Sequence, residues 1–346
     1  MSNPITIKGL MNYHAHIDKG GIVPPFVYRD APASERAAWT REAKASFTVE
    51  DIKARASAII ENMIRYGTVY LRTHVDVDPI VGLKGMEAIL ELREIYKDRI
   101  AIDAVAFAQE GFDRFPESEG LLHEALRMGA HGIGGHTTMD QDGKQHITKI
   151  FEIAEAENAE FIEFHTDETG KEEHFLQPFL AEHTIQRGWQ GRVTAIHCSS
   201  LANVSEAAAQ LAAKLTAKAD VKVTICPTAI ATRSLTRVKM LLQEGVQIRL
   251  GSDNIGDFFN PFGSGNMLHY AQMLAYILRF YEPKEVETIM DALISQPVEG
   301  RLHTALSSYD FTYKYKASSI YELLTHAEAP ERCREILTSP DLLARR

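Results

Sequence analysis

The sequence predicts a closed (β/α)8 barrel with extra helices after the last barrel strand. Three observations carry this. Eight short β-branched runs recur along the chain, segments of helical periodicity separate them, and no glycine-rich phosphate fingerprint follows the first run, as it would in an open dinucleotide-binding sheet. The runs lie at 5–16, 68–77, 100–109, 132–136, 160–165, 192–197, 221–226 and 247–253.

Between the runs, apolar residues recur at helical spacing over 50–66, 85–96, 120–128, 147–158, 205–219 and 236–244. The fourth run is the least strand-like, because Gly132, Gly134 and Gly135 lower its strand preference. After the eighth run come a loop rich in Gly and Asn and two helical segments, 269–280 and 283–295. The tail holds one short alternating run and a final amphipathic helix near 330–337. No linker or internal repeat beyond the βα period marks a second independent domain. The expected division is a barrel over 1–303 and a tail over 304–346 that packs on the barrel or on a partner subunit.

A chain of 346 residues with 45% hydrophobic and 24% charged residues can bury a sizeable core, so disorder is excluded. Its 47 acidic residues outnumber 37 Lys and Arg, for a net charge of −10. With no basic stripe, nucleic acid is not an expected partner. No apolar stretch approaches the ~18 residues of a membrane span, and the N-terminus lacks the pattern of a signal peptide, so a cytoplasmic protein is expected. Cys198, Cys226 and Cys333 are odd in number and lack CxxC spacing, which predicts neither a disulfide framework nor a structural zinc site.

In such a barrel, polar groups at the carboxyl ends of the strands converge on one mouth. The first run ends in His14-Ala-His16, the fifth in His165, the sixth in His197 and the eighth in Asp253. Side chains alternate along a strand with period two, so His14 and His16 face the same way and can share an ion. Imidazoles with one carboxylate suit Zn²⁺ or Fe²⁺ with a position left for water. A single strand histidine is ordinarily structural; four histidines and an aspartate at the strand ends of one barrel are not explained by packing.

These residues lie in NYHAHIDKG (12–20), RTHVDVD (72–78), AFAQEG (106–111), EFHTDE (163–168), AIHCSS (195–200) and GSDNIGDFFNPFGSGNML (251–268). With these segments the chain resembles the amidohydrolase superfamily and, within it, the cytosine deaminase group, from Met11 to about Leu268. The resemblance implies a metal held by His14, His16, His165 and Asp253. It implies that Glu168 is the proton shuttle, that His197 orients or polarises the attacking water, and that Gln109 bonds the amide edge of a substrate ring. It places Asp257 and Phe259 in a loop that closes over the ring.

Three departures from the group matter. His197-Cys198-Ser199 stands where the group often has His-Thr-Thr, and Asn254 stands where a second aspartate can contact substrate. Asparagine both donates and accepts, so it changes which ring edge is preferred; in this respect the chain looks more like members acting on triazines and other amino-heterocycles. The third departure is architectural. His14 comes too early for the N-terminal half of the β-sandwich that members usually carry, so the sandwich is expected to be absent or vestigial and another cover, the tail or a second copy in a homo-oligomer, is needed.

Two-metal relatives carry a Lys or Glu at the end of strand four, whereas this chain has Gly134-Gly135-His136-Thr137. One divalent ion is therefore expected, with Lys19 and Glu110 in supporting or salt-bridging roles, His74 and Asp76 behind the ligands, and His136 in the pocket wall. The expected reaction is hydrolytic removal of an amino group from a small N-heterocycle, a cytosine-like pyrimidine or an amino-triazine, with release of ammonia. The alternatives are cyclic-amide ring opening, N-dealkylation of a triazine, or a catalytically silent protein that only binds metal or heterocycle. An intact proton shuttle argues against the last.

Overall fold

The computed structural model describes residues 4–23, 30–294 and 313–331. In chain order its strands are β1 Ile5–Ile7, β2 Leu10–Ala15, β3 Thr68–Asp76, β4 Ala101–Ala108, β5 Gly132–His136, β6 Phe161–Thr166, β7 Val193–His197, β8 Lys222–Ile225, β9 Ile248–Leu250 and β10 Tyr313–Tyr315. Its helices are α1 Ala33–Lys44, α2 Val49–Arg65, α3 Lys84–Tyr96, α4 Ser118–Met128, α5 Gly143–Ala156, α6 Gln177–Gln186, α7 Glu206–Lys218, α8 Val238–Gln243, α9 Met267–Leu278, α10 Pro283–Ile294 and α11 Ile320–His326. Strands β2 to β9 pair in sequence order, all parallel. A parallel bridge between Ala15 and Asp253 closes the barrel, with the Asp253 amide donating to the His14 carbonyl at 3.0 Å.

The first predicted run is split. At Gly9 the backbone takes φ of +101°, and a Cβ there would lie 2.5 Å from Val69 Cγ1, so the chain turns out of the barrel and only β2 joins it. The preceding strand, β1, pairs antiparallel with β10, Ile5 opposite Tyr315 and Ile7 opposite Tyr313. This two-stranded ribbon, built from segments before and after the barrel and joined by a single antiparallel bridge from Lys314 to Glu331, is the flanking β-structure among the described residues. The eighth strand is shorter than predicted because Ser252 turns to Asn12: its amide donates to Asn12 Oδ1 at 3.1 Å, and Asn12 Nδ2 donates to Ser252 Oγ at 2.8 Å.

The glycines that weaken the fourth run on propensity are required by packing. A Cβ on Gly134 would sit 2.2 Å from the Glu163 carbonyl oxygen, and one on Gly135 would sit 2.0 Å from His146 Nε2. Close approach of neighbours outweighs intrinsic preference at β5.

The outer helices follow ordinary rules. Buried Ile52, Ala56, Ile60 and Met63 form one stripe of α2, whose N-terminus is capped by Thr48 accepting from the Asp51 amide. One helix does not follow them: the inward residues of α1 are Arg36, Thr40 and Lys44, so it has no apolar stripe for periodicity to detect. Lys44 is held by Asp78 at 2.6 Å and Asp76 at 3.0 Å, which fastens α1 across the barrel mouth. The tail docks on α9, where Asn266 Nδ2 donates to the Ala327 carbonyl at 2.7 Å and Gln272 Nε2 to that of Leu324 at 3.2 Å. The short tail helix α11 was not anticipated; most of the one expected near 330–337 lies outside the described residues, as does Cys333. No helix among the described residues is long and apolar enough to cross a membrane.

Candidate active site

His14 on β2 and His16, one residue beyond its end, turn the same way, and the two histidine rings lie edge to face with centroids 4.8 Å apart. The end of β6 brings His165, whose Nε2 is 3.2 Å from His16 Nε2. Asp253 follows β9, with Oδ1 3.4 Å from His14 Nε2 and 3.7 Å from His16 Nε2. One donor atom from each of His14, His16, His165 and Asp253 fits within 4.8 Å of the others. Two of these strand ends are strained: Asp253 has φ of +62°, and His197, at the end of β7, has φ of +70°.

This donor set fits a divalent cation. Burial, reinforced by Lys19 and His14, pushes His16 well below its ordinary pKa, and burial with the neighbouring histidines does the same to His165, so both imidazoles keep a lone pair. Burial alone would raise Asp253, but the adjacent His14 and His197 hold it down to about 2. His14 Nε2 is buried with no hydrogen-bond partner. Uncharged donors and a carboxylate meeting at one point, one of them unsatisfied, lack only a positive charge. Cys226 lies near His14 and His197, but burial pushes its thiol far up, which leaves it a neutral and poor ligand. Cys198 and Cys226 are both free and buried.

Behind the ligands lies a polar layer that fills the barrel. His14 Nδ1 is 2.9 Å from His74 Nδ1, and His74 Nε2 is 3.1 Å from Glu163 Oε2. Glu163 accepts from Arg72 at 2.7 Å, and Arg72 also pairs with Asp103 at 3.0 Å. All of these side chains are buried.

Glu168 lies on the loop after β6, gripped from two sides. Its Oε2 is 2.7 Å from His136 Nε2 and its Oε1 is 2.8 Å from Arg233 Nη2 and 3.8 Å from His197 Nε2. Burial would raise its pKa, but Arg233, His136 and His197 together carry it well below the ordinary carboxylate value. Arg233 Nη2 also lies 3.3 Å from His197 Nδ1. Arg233 was not anticipated; it sits on an irregular loop beyond the short 3-10 turn Pro227–Ala231, where no periodicity marks it.

A cavity of about 1080 Å³ opens over this centre. His16, His165 and Asp253 border it, with Gln109, Glu168 and Phe259 in its walls. Gln109 Oε1 accepts from Lys19 Nζ at 3.0 Å, and since ammonium only donates, the amide nitrogen of Gln109 is the end left for a ligand. Asn254 donates its amide to Asp257, which leaves Asn254 Oδ1 as an acceptor. Asp257 is not a cavity residue: it is buried, and its Oδ1 accepts from the Phe259 amide at 2.8 Å and the Asn260 amide at 2.9 Å. It braces the loop instead of closing over a ring. Lys19 pairs with Asp76 at 2.8 Å and Glu110 with Arg41 at 3.0 Å.

Comparison with known proteins agrees with this arrangement. The model of the amidohydrolase family matches residues 6–296. Over 299 residues the chain is 31% identical to N-isopropylammelide isopropyl amidohydrolase of Pseudomonas sp. (strain ADP), covering 83% of this chain and 72% of that protein. It is 27% identical over 311 residues to pterin deaminase of Rhizobium rhizogenes (strain K84 / ATCC BAA-868), covering 84% and 70%. Among solved structures, 5-methylcytosine deaminase from Klebsiella pneumoniae liganded with phosphonocytosine superposes with a TM-score of 0.85 at 23% identity, covering 94% of this chain and 84% of that one. With its barrel, its cluster of metal-ligating side chains and a family match over most of its length, the chain belongs to the amidohydrolase family and is a hydrolase of C–N bonds.

Proposed function

We propose that the protein removes an amino group from a small N-heterocycle, a cytosine-like pyrimidine or an amino-triazine, by hydrolysis with release of ammonia. The observation that carries this reading is the placement of Glu168 beside the three imidazoles and the aspartate, clamped between His136 and Arg233. A carboxylate so held, facing the cavity, is positioned to move protons. The named activities of relatives in the family support the substrate class.

His14, His16, His165 and Asp253 would hold one Zn²⁺ or Fe²⁺. Such an ion lowers the pKa of water toward neutrality. A single ion is favoured because the end of β5 offers His136, committed to Glu168, and because Lys19 and Glu110 are both spent in ion pairs.

The remaining work falls to this chain's own side chains. Gln109 donates to, and Asn254 accepts from, the polar edge of the ring, which orients the carbon bearing the amine. His197, with Arg233 against its Nδ1, orients the attacking water. Asp253 takes the proton that the water loses. Glu168, ionised at the outset, takes up each proton before it delivers it: the water's second proton passes through it to the ring nitrogen, and the proton first taken by Asp253 passes through it to the departing amine, so that water and the aminated ring become the oxo ring and ammonia. General acid–base transfer of this kind contributes about 10²–10⁴ in rate.

A second reading, loss of an alkylamine from an N-alkylated triazine, is favoured by the 31% identity to N-isopropylammelide isopropyl amidohydrolase. The test is a product screen of the metal-loaded protein against aminopyrimidines, aminotriazines, N-alkylated triazines and pterins, with ammonia and alkylamine measured separately. Ammonia from an intact ring is the expected result; alkylamine alone selects the second reading, and conversion of none of them contradicts both.

A further inference from the structure

We propose that Arg36 anchors a carboxylate carried by the substrate ring, so that the preferred substrates are anionic amino-heterocycles. This inference rests on the amino-heterocycle reading above and narrows it.

Arg36 lies in the first turn of α1 and lines the same cavity as His16, His165 and Asp253. Four other cations border that cavity, and each has a carboxylate partner. Lys19 is 2.8 Å from Asp76, Arg41 3.0 Å and Arg114 3.8 Å from Glu110, and Arg233 2.8 Å from Glu168. Arg36 is different. Only 7% of its surface is exposed, yet its guanidinium has no ion pair among the described residues, and its Nε is buried without a hydrogen-bond partner. Its guanidinium lies over the ring of Phe259, 5.7 Å from the centroid.

An arginine cannot escape burial by losing its proton, and a buried charge without a counter-charge is costly. Among the described residues nothing supplies that counter-charge, which leaves one anion for a ligand to bring. A planar guanidinium matches a carboxylate in two parallel hydrogen bonds, and a single unpaired cation balances one negative charge. Phe259, which borders the same cavity, holds the guanidinium at its edge.

Charge and size agree. The chain as a whole carries −10, yet its cavity is bordered by five Lys or Arg side chains against three carboxylates, Glu110, Glu168 and Asp253. A cleft of that sign concentrates anions against the field of the rest of the molecule. At about 1080 Å³ the cavity also stands just above the ~300–1,000 Å³ usual for ligand pockets, more than an unsubstituted six-membered ring occupies.

The test uses pairs of aminopyrimidines and aminotriazines that differ only in a ring carboxylate or its uncharged carboxamide. Affinity is measured calorimetrically on the metal-loaded protein, and turnover by ammonia release. In at least one converted pair the carboxylate is expected to bind about 10- to 100-fold tighter, the range for one charge-assisted bond. Arg36→Gln should erase that preference and Arg36→Lys should retain part of it. Conversion of a ring with equal affinity for its carboxylate and carboxamide overturns this inference and leaves the amino-heterocycle reading standing. Conversion of no ring in either form overturns both. The wild-type comparison decides the question even where a variant fails to fold.

Discussion

His14 Nδ1 lies 2.9 Å from His74 Nδ1, and the same His74 ring reaches Glu163 with its other nitrogen at 3.1 Å. The negative charge of Glu163 draws the His74 proton to the nitrogen that faces it. Glu163, held by Arg72, is an acceptor carried down to about 2: burial opposes that shift, but the Arg72 charge and the bond from His74 outweigh it. His74 therefore carries its proton on Nε2, accepts at Nδ1 from His14, and leaves His14 Nε2 bare and aimed at the ligand cluster. Orientation of a metal ligand by the group behind it is worth about 10–100-fold in metal affinity.

The first prediction follows from that relay. His74→Phe should weaken divalent-metal affinity by about 10–100-fold, measured by competition with a chelator. Its folded barrel should remain visible by circular dichroism. A His74→Phe protein that holds metal as tightly as the wild type would show that the His14 tautomer is set by something else.

Glu168→Gln should lower kcat by about 10²–10⁴ with metal content unchanged, since the carboxylate moves protons and is not among the four ligands. Arg233→Met should lower kcat less, by about tenfold, because Glu168 keeps His136 when Arg233 is removed. Steady-state kinetics on whichever ring the product screen identifies provides both numbers. Equal losses in the two variants would mean that Arg233 takes part in the chemistry itself.

Lys44→Met should destabilise the protein by about 3–5 kcal/mol in urea unfolding, because a buried charge left without its partner is costly. Lys44 Nζ lies 2.6 Å from Asp78, 3.0 Å from Asp76 and 3.5 Å from Glu110. Asp76 and Glu110 have other cations, Lys19 and Arg41, but among the described residues Asp78 keeps backbone donors alone, the amides of Ile80 and Val81. Faster proteolysis within α1 should accompany the loss.

The pH dependence of stability has a definite sign at His146. Burial carries this histidine below its ordinary value of 6.5, against the pull of Asp140, 2.6 Å from its Nδ1. Its Nε2 has no partner. The unfolded chain therefore binds the proton more readily, and stability is lost as pH falls below about 6.5, by up to ~1.4 kcal/mol per pH unit for one proton. His146→Asn keeps a donor toward Asp140 and removes the titrating ring, so its unfolding free energy between pH 5 and 7 should vary less steeply than that of the wild type. Identical slopes would contradict the assignment.

The parts of this architecture that the sequence reveals are those with a period or a fixed spacing. The His14-Ala-His16 pair could be placed on one face because strand alternation is strict, and the barrel could be read because its strands and the apolar stripes of helices such as α2 repeat. Arg36, Thr40 and Lys44 turn inward with perfect helical spacing yet are polar, so a search for apolar periodicity passes over α1, and with it the lid of charge over the mouth. Arg233 acts from an irregular loop with no pattern around it. Asp257 has the composition of a substrate contact, but three short-range hydrogen bonds claim its carboxylate, and such competition between local and ligand bonds is settled only by backbone geometry. The split of the first run depends on Val69, about sixty residues away in sequence, crowding Gly9.

The central claim is that three imidazoles and one carboxylate from β2, β6 and the end of β9 hold a single divalent ion. Anomalous diffraction from crystals of the metal-loaded protein tests it most directly. The account predicts one peak at about 2.0–2.2 Å from nitrogen atoms of His14, His16 and His165 and an oxygen of Asp253. A peak elsewhere, two peaks, or none in crystals of protein shown to be loaded would contradict it.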